Sequence, residues 1–344
     1  MMDAVSEASR RSIEAGSKSF AAAARLFDPA TRDSARLFYA WCRHCDDLID
    51  GQAGGMGRVD HGGTPAERLT RLERRTRDAL AGLPQDDPAF AAFARVALHH
   101  RIPAQLPLDI LDGFRMDVEG RRYATLDDLL GYCYGVAGAV GVTMAIVMGT
   151  PPDRRETLDR ACDLGLAFQL TNIARDVMDD ARAGRVYLPA ELFDRAAVTP
   201  AFVLDPANRD AVVSATHALL ELAERYYASA RVGIARLPWR SAWAIATALR
   251  VYREIGRRIR FSPDPWARRI SVPRWRKLWH VGIGSAQPTL YRLVGCPPRQ
   301  GLWTRPGPGC GAPCRLSSPL GANRGASAGH LLAPTASTPP KIRL

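Results

Sequence analysis

At 344 residues, 47% hydrophobic and 24% charged, the chain can bury a substantial core, which excludes a disordered or fibrous protein as the default. Its formal net charge of +12 is unevenly spread: from Arg236 onward there are 19 Lys and Arg against only Glu254 and Asp264, while the first 235 residues carry −5. That asymmetry points to an anionic surface, and no recognisable motif accompanies it that would favour nucleic acid over a membrane.

The run from Met1 to Gly16 has neither an apolar core segment nor a small-residue cleavage site, so no secretory signal is read and a cytoplasmic location is expected. Seven cysteines, an odd number without a signal, fit reduced thiols. Apolar residues recur at helical spacing and strand-type alternation is missing, so the expected fold class is all-α. Helices are expected over 4–14, 19–26 and 31–50. In the third, YAWCRHCDDLID sets Tyr39, Arg43, Asp46 and Asp50 along one face at about 3.6 residues per turn. Like charges one turn apart destabilise an isolated helix by roughly a few tenths of a kcal/mol. A divalent cation between Asp46 and Asp50 would offset that, because Mg²⁺ takes carboxylate, water and phosphate oxygens. An ordinary acidic surface patch is the competing reading.

The glycine-rich 51–65 stretch reads as a surface loop long enough to be a lid. Helices follow over 66–81, 88–100, 105–119 and 126–148, with breaks near Pro84–Pro88 and Gly149–Pro152. Val136–Met148 is too short to span a bilayer and reads as core. Gly135, Gly138 and Gly141 each cost that helix about 1 kcal/mol relative to Ala, which room for a ligand or close helix contact would explain. The next helix, 153–179, opens a second stripe in which Gln169, Asn172, Asp176 and Asp180 stack on one face beside Arg175. Two such oxygen-donor stripes can face each other across a cavity and hold Mg²⁺ against a diphosphate. Arg43, Arg175, Arg185 and Lys18 would be the cationic complement.

Beyond these, a short helix is expected at 189–193, a loop over 200–206, and helices over 207–235, 239–260 and 274–283. The 266–282 stretch interleaves Trp266, Trp275 and Trp279 with Arg268, Arg269, Arg274, Arg276 and Lys277. It reads either as an interface-seeking surface or as a terminal helix with a solvated basic face. Residues 1–290 are taken as a single catalytic domain and 291–344 as a Pro/Gly-rich basic tail, for which disorder is expected. Cys42-x-x-Cys45, His44 and His99-His100 read as ordinary residues, and Asp86-Asp87 and Asp127-Asp128 as loop or cap features.

Five stretches then fall in one order: GSKSF (16–20), YAWCRHCDDLID (39–50), DGFRMDVEGRRYATLDDLLGYCYGVAGAVG (112–141), FQLTNIARDVMDDARAGRVYLP (168–189) and AWAIATALRVYREIG (242–256). Together they resemble the squalene and phytoene synthase family, its bacterial phytoene synthases above all. The likeness persists faintly through LWTRP at 302–306 and ends beyond Gly307. The resemblance implies an isoprenoid-synthase (class I terpenoid synthase) helical fold around a central cavity. It implies head-to-head condensation of geranylgeranyl diphosphate to phytoene through prephytoene diphosphate, the first committed step of carotenoid biosynthesis. Asp46, Asp50, Asn172, Asp176 and Asp180 would hold Mg²⁺, with Mn²⁺ as a substitute, and no nicotinamide cofactor is implied. Ser17, Lys18, Ser19, Tyr39, Arg43, Gln169, Arg175 and Tyr252 would line the diphosphate and prenyl sites, with Tyr134, Arg185 and Tyr187 near the reacting carbons. The implied partners are prenyl diphosphates, a membrane surface through peripheral association, and a downstream carotenoid desaturase. A dehydrosqualene- or squalene-type synthase using farnesyl diphosphate, and a non-catalytic assembly protein, are the alternatives.

Overall fold

The computed structural model describes residues 23–52, 57, 59–293 and 299–307, and no strand occurs among them. Helix α1 (Pro29–Asp50) starts where Asp28 accepts the Thr31 amide at 3.0 Å and ends at Gly51, whose φ of 64° suits glycine. Helices α2 (Pro65–Leu80), α3 (Pro88–His99) and α4 (Gln105–Val118) follow, α2 entered through a capping box between Thr64 and Glu67. Asp87 caps α3, and Asp128 completes a capping box with Thr125 at the start of α5 (Leu126–Cys133), so both acidic pairs contribute caps. Trp41 of α1 stacks on Phe93 of α3 at 4.3 Å, which ties the first helices into one core.

The helix expected over 126–148 forms as one continuous helical run, Leu126–Val147, with a π-helical turn inside it. After α5 a π-helical segment, Tyr134–Gly138, precedes α6 (Ala139–Val147). The run Leu126–Val147 is the one span among the described residues long and apolar enough to cross a membrane, and 78% of its 18-residue apolar window is buried inside the protein. Helix α7 (Arg155–Arg182) is buried on nearly every side, its polar Asp159, Asp163, Asn172 and Asp176 included, and packs on α6 and on α9 (Arg209–Ala235). Glycines make the α6–α7 contact possible. A Cβ at Gly165 would lie 2.3 Å from the Ala137 carbonyl oxygen, and one at Gly141 2.6 Å from that of Ala161. Close helix contact is realised at both positions, and both glycines also border the cavity described below.

A 3₁₀ turn stands at Ala190–Phe193, and the stretch expected as loop contains α8 (Pro200–Leu204) and a second 3₁₀ turn, Pro206–Asn208. Thr199 caps α8 ahead of its proline, a start signal that the flanking prolines mask in the sequence. Helices α10 (Trp239–Arg260), α11 (Arg274–Gly284) and α12 (Gln287–Leu293) complete the fold. Helix α12 runs across the boundary set at residue 290. Residues 299–307, assigned to the tail by composition, lie against the body: Arg299 binds Asp163 and Arg305 binds Asp159. Charge and aromatic contacts order this segment despite its Pro/Gly content. The rest of the tail, like the helix expected over 4–14, lies outside the described residues.

Candidate active site

A cavity of about 240 Å³ opens between α1, α6, α7, α9, α10 and α11. Phe38, Cys42, Val136, Val140, Met144, Leu164 and Phe168 give it an apolar wall, and Tyr39, Gln169, Asn172 and Tyr252 supply polar groups. The Tyr252 ring stacks on Phe168 at 4.1 Å. Burial pushes the Tyr39 hydroxyl up to about 12. Cys42 in that wall and Cys45 on the same helix are buried and unbridged, and burial raises both thiols.

The aspartates of the two stripes lie outside the cavity wall, while Tyr39, Gln169 and Asn172 of the same stripes belong to it. Arg43 sits 2.7 Å from Asp46 and donates to Asp47, also at 2.7 Å. Asp46 is 1% exposed, and despite that ion pair neither of its carboxylate oxygens has a hydrogen bond of good geometry. Burial drives the Asp46 carboxyl well above the usual range, and Arg43 pulls it only partly back. The side-chain oxygen of Asn172 is likewise buried without a partner. Arg175 grips Asp176 through both nitrogens, at 3.0 and 2.6 Å, and Arg269 adds a third contact at 3.2 Å.

Arg185 connects the stripes. It donates to Asp50 at 3.3 Å and lines a small pocket with Asp180 and Tyr187. Next to it, Asp117 accepts the Tyr187 hydroxyl at 2.7 Å and the Tyr132 hydroxyl at 3.0 Å. Burial pushes the Asp117 carboxyl up to about 6, against the opposing pull of Arg185. The rings of Tyr123, Tyr132 and Tyr187 pack around it, Tyr132 on Tyr187 at 5.0 Å.

The structure thus brings Arg43, Asp46, Asp50, Arg185 and Tyr187 into one network and Arg175, Asp176 and Asp180 alongside it. Tyr134 is separate: its hydroxyl donates to Asp109, its ring packs on Trp303, and it does not line the cavity. Ser17, Lys18 and Ser19 lie outside the described residues. Among the described residues no three His, Cys, Asp or Glu side chains converge at metal-ligating spacing. The donor set nevertheless suits a hard cation. All five candidate ligands offer oxygen, and the Asp46 and Asn172 oxygens are buried acceptors in want of a donor or an ion.

Sequence reasoning missed Asp117 and Arg269. A signal existed for Asp117: it continues the apolar stripe Ile110–Phe114 at helical spacing, where a carboxylate is out of place unless it is used. Nothing local distinguishes Arg269 from its basic neighbours.

Residues 13–276 match the squalene/phytoene synthase family. The chain belongs to that family. Among its squalene/phytoene synthase relatives, the 15-cis-phytoene synthase of a Paracoccus species is 52% identical over 300 residues, covering 87% of this chain and 97% of the relative. That of Pantoea ananas is 50% identical over 294 residues, covering 85% and 94%. A dehydrosqualene synthase solved with a ligand superposes with a TM-score of 0.70 at 29% identity, covering 84% of this chain and 98% of that one. The fold is therefore the helical isoprenoid-synthase fold of squalene/phytoene synthases, and the chain is a prenyltransferase by family.

Proposed function

We propose that this squalene/phytoene synthase joins geranylgeranyl diphosphate head to head to form phytoene through prephytoene diphosphate. The carrying observation is an apolar cavity whose polar wall, Tyr39, Gln169 and Asn172, belongs to the two helices that bear the acidic stripes. Curated relatives at about half identity that bear the phytoene synthase name support the C20 donor over farnesyl diphosphate.

Asp46, Asp50, Asn172, Asp176 and Asp180 would hold Mg²⁺, which when bound neutralises the charge of a departing diphosphate. Arg43, Arg175, Arg185 and Arg269 present guanidinium groups matched to phosphate oxygens once substrate competes for them. The apolar wall keeps water from the allylic cation left behind, and Tyr252 is held flat against Phe168 at the cavity's surface. The overall conversion to phytoene releases diphosphate and protons without changing oxidation level, so no nicotinamide cofactor is needed.

Helix α11 supports peripheral attachment to an anionic membrane. Trp275, Leu278 and Trp279 are 65%, 72% and 64% exposed, with Arg274 and Arg276 beside them. Lys277 and Val281 of the same helix line the cavity, so a hydrocarbon could leave at the lipid surface, within reach of a downstream carotenoid desaturase.

The deciding experiment incubates purified protein and Mg²⁺ with geranylgeranyl or farnesyl diphosphate and identifies the hydrocarbon by mass. Phytoene from the C20 donor, lost in Asp46→Ala and Asp176→Ala, is expected. A C30 product alone would overturn the substrate, and no product from a folded protein would overturn the activity.

A further inference from the structure

Residues 299–305 press on a face of α7 turned away from the cavity. Thr157, Ala161, Leu164 and Gly165 line the cavity, whereas Asp159 and Asp163, roughly 200° around the helix from Ala161, meet the segment. Arg299 grips Asp163 through Nε and Nη2 at 2.8 and 2.7 Å, and its Nη2 also donates to the Trp303 carbonyl. Arg305 donates to Asp159 at 2.6 Å. The Trp303 amide donates to the Tyr226 hydroxyl at 3.2 Å, and the Trp303 ring packs on Tyr134 with centroids 5.5 Å apart.

These contacts converge on one joint. Tyr134 opens the π-helical segment, and Val136 and Ala137, next along it, are cavity wall. Ala137 is also the residue whose carbonyl abuts Gly165. The Asp163 side chain is fully buried, so without Arg299 it would be a carboxylate with no compensating charge. Cys162, buried between the two aspartates, has its Sγ where a Cβ on Gly138 would come within 2.9 Å.

We infer that Arg299, Trp303 and Arg305 are positioning residues for the condensation: the segment fixes the π-helical wall of the cavity from outside, through Tyr134 on one side and Asp159 and Asp163 on the other. None of the three lines the cavity. The inference rests on the proposed activity, and its test separates the two.

Three variants serve: Trp303→Ala, Trp303→Phe, and the charge-matched pair Asp163→Asn/Arg299→Met, which avoids the stranded carboxylate that Arg299→Met alone would leave. Three readouts are taken: steady-state kcat and KM, the partition between released prephytoene diphosphate and phytoene, and the alkylation rate of Cys162 followed by peptide mass. A misplaced wall lowers kcat by about 10–100-fold. Trp303→Ala and the pair are expected to show that loss with KM nearly unchanged, more released intermediate, and alkylation about tenfold faster; Trp303→Phe restores all three. Simple loss of folded enzyme leaves the partition unmoved. Wild-type partition and kcat in folded Trp303→Ala protein would overturn the inference. Wild-type enzyme that makes no hydrocarbon while Cys162 stays protected would overturn the activity, and the positioning role with it, while the docked segment stands.

Discussion

Replacing Gly165 by alanine would put a methyl group 2.3 Å from the Ala137 oxygen, 2.6 Å from its carbonyl carbon and 2.8 Å from the Gly138 Cα. Ordinary contact begins near 3.4 Å, so α7 and the π-helical segment would have to part by about 1 Å. The obstacles are backbone atoms, and Gly141 meets Ala161 just as closely along the same contact, so no side chain can rotate clear. Overpacking of this kind costs about 1–3 kcal/mol, at the upper end when only backbone can yield. Alanine's better helix propensity returns about 1 kcal/mol. The net loss is about 1–2 kcal/mol, a drop of roughly 1.5–3 °C in thermal midpoint for a domain of this size. Gly131 of α5 is the matched control, since a Cβ there meets nothing within 4 Å. Gly131→Ala should gain up to about 1 kcal/mol and raise the midpoint. Calorimetry of both variants tests the reasoning, and a Gly165→Ala midpoint at or above wild type would refute the backbone contact.

Asp117 has a folded-state carboxyl near 6 against an ordinary 3.8, so between those values the native protein holds a proton that the unfolded chain has released. Stability contributed by this group is therefore present at low pH and lost as pH rises from about 4 to 6, by up to about 3 kcal/mol. Urea midpoints of Asp117→Asn against wild type should diverge over that window in favour of the variant, and parallel pH profiles would contradict the buried carboxyl. For α11, Trp275→Ala/Trp279→Ala protein should lose co-sedimentation with vesicles containing anionic lipid, and wild-type binding by that variant would remove the helix from the membrane surface.

Helices α1 and α7 are legible because each carries a helical apolar period interrupted by carboxylates at one-turn spacing, which in the structure are met by Arg43, Arg185, Arg175 and Arg269. Residues that act across the chain were harder to see. Asp117 draws its role from Tyr132 and Tyr187, and Arg269 from Asp176, partners distant in sequence. Composition misjudged residues 299–307 for the same reason: Pro and Gly density describes a chain with nothing to bind, whereas Arg299 and Arg305 find buried aspartates on α7. Tyr134 illustrates the opposite error. Its motif position suggested the reacting carbons, but its hydroxyl is turned to Asp109.

The π-helical segment also acts as a phase shifter. Each residue of an α-helix turns about 100°, so the wider turn at Tyr134–Gly138 re-aims everything after it. Tyr132 just before it and Tyr134 at its first position send their hydroxyls to Asp117 and Asp109; after it, Val140, Gly141 and Met144 face the cavity. One helical run therefore serves a polar network at one end and an apolar wall at the other. An insertion or deletion of a single residue here would swing the whole of α6 away from the cavity, which makes chain length through this stretch as constrained as residue identity.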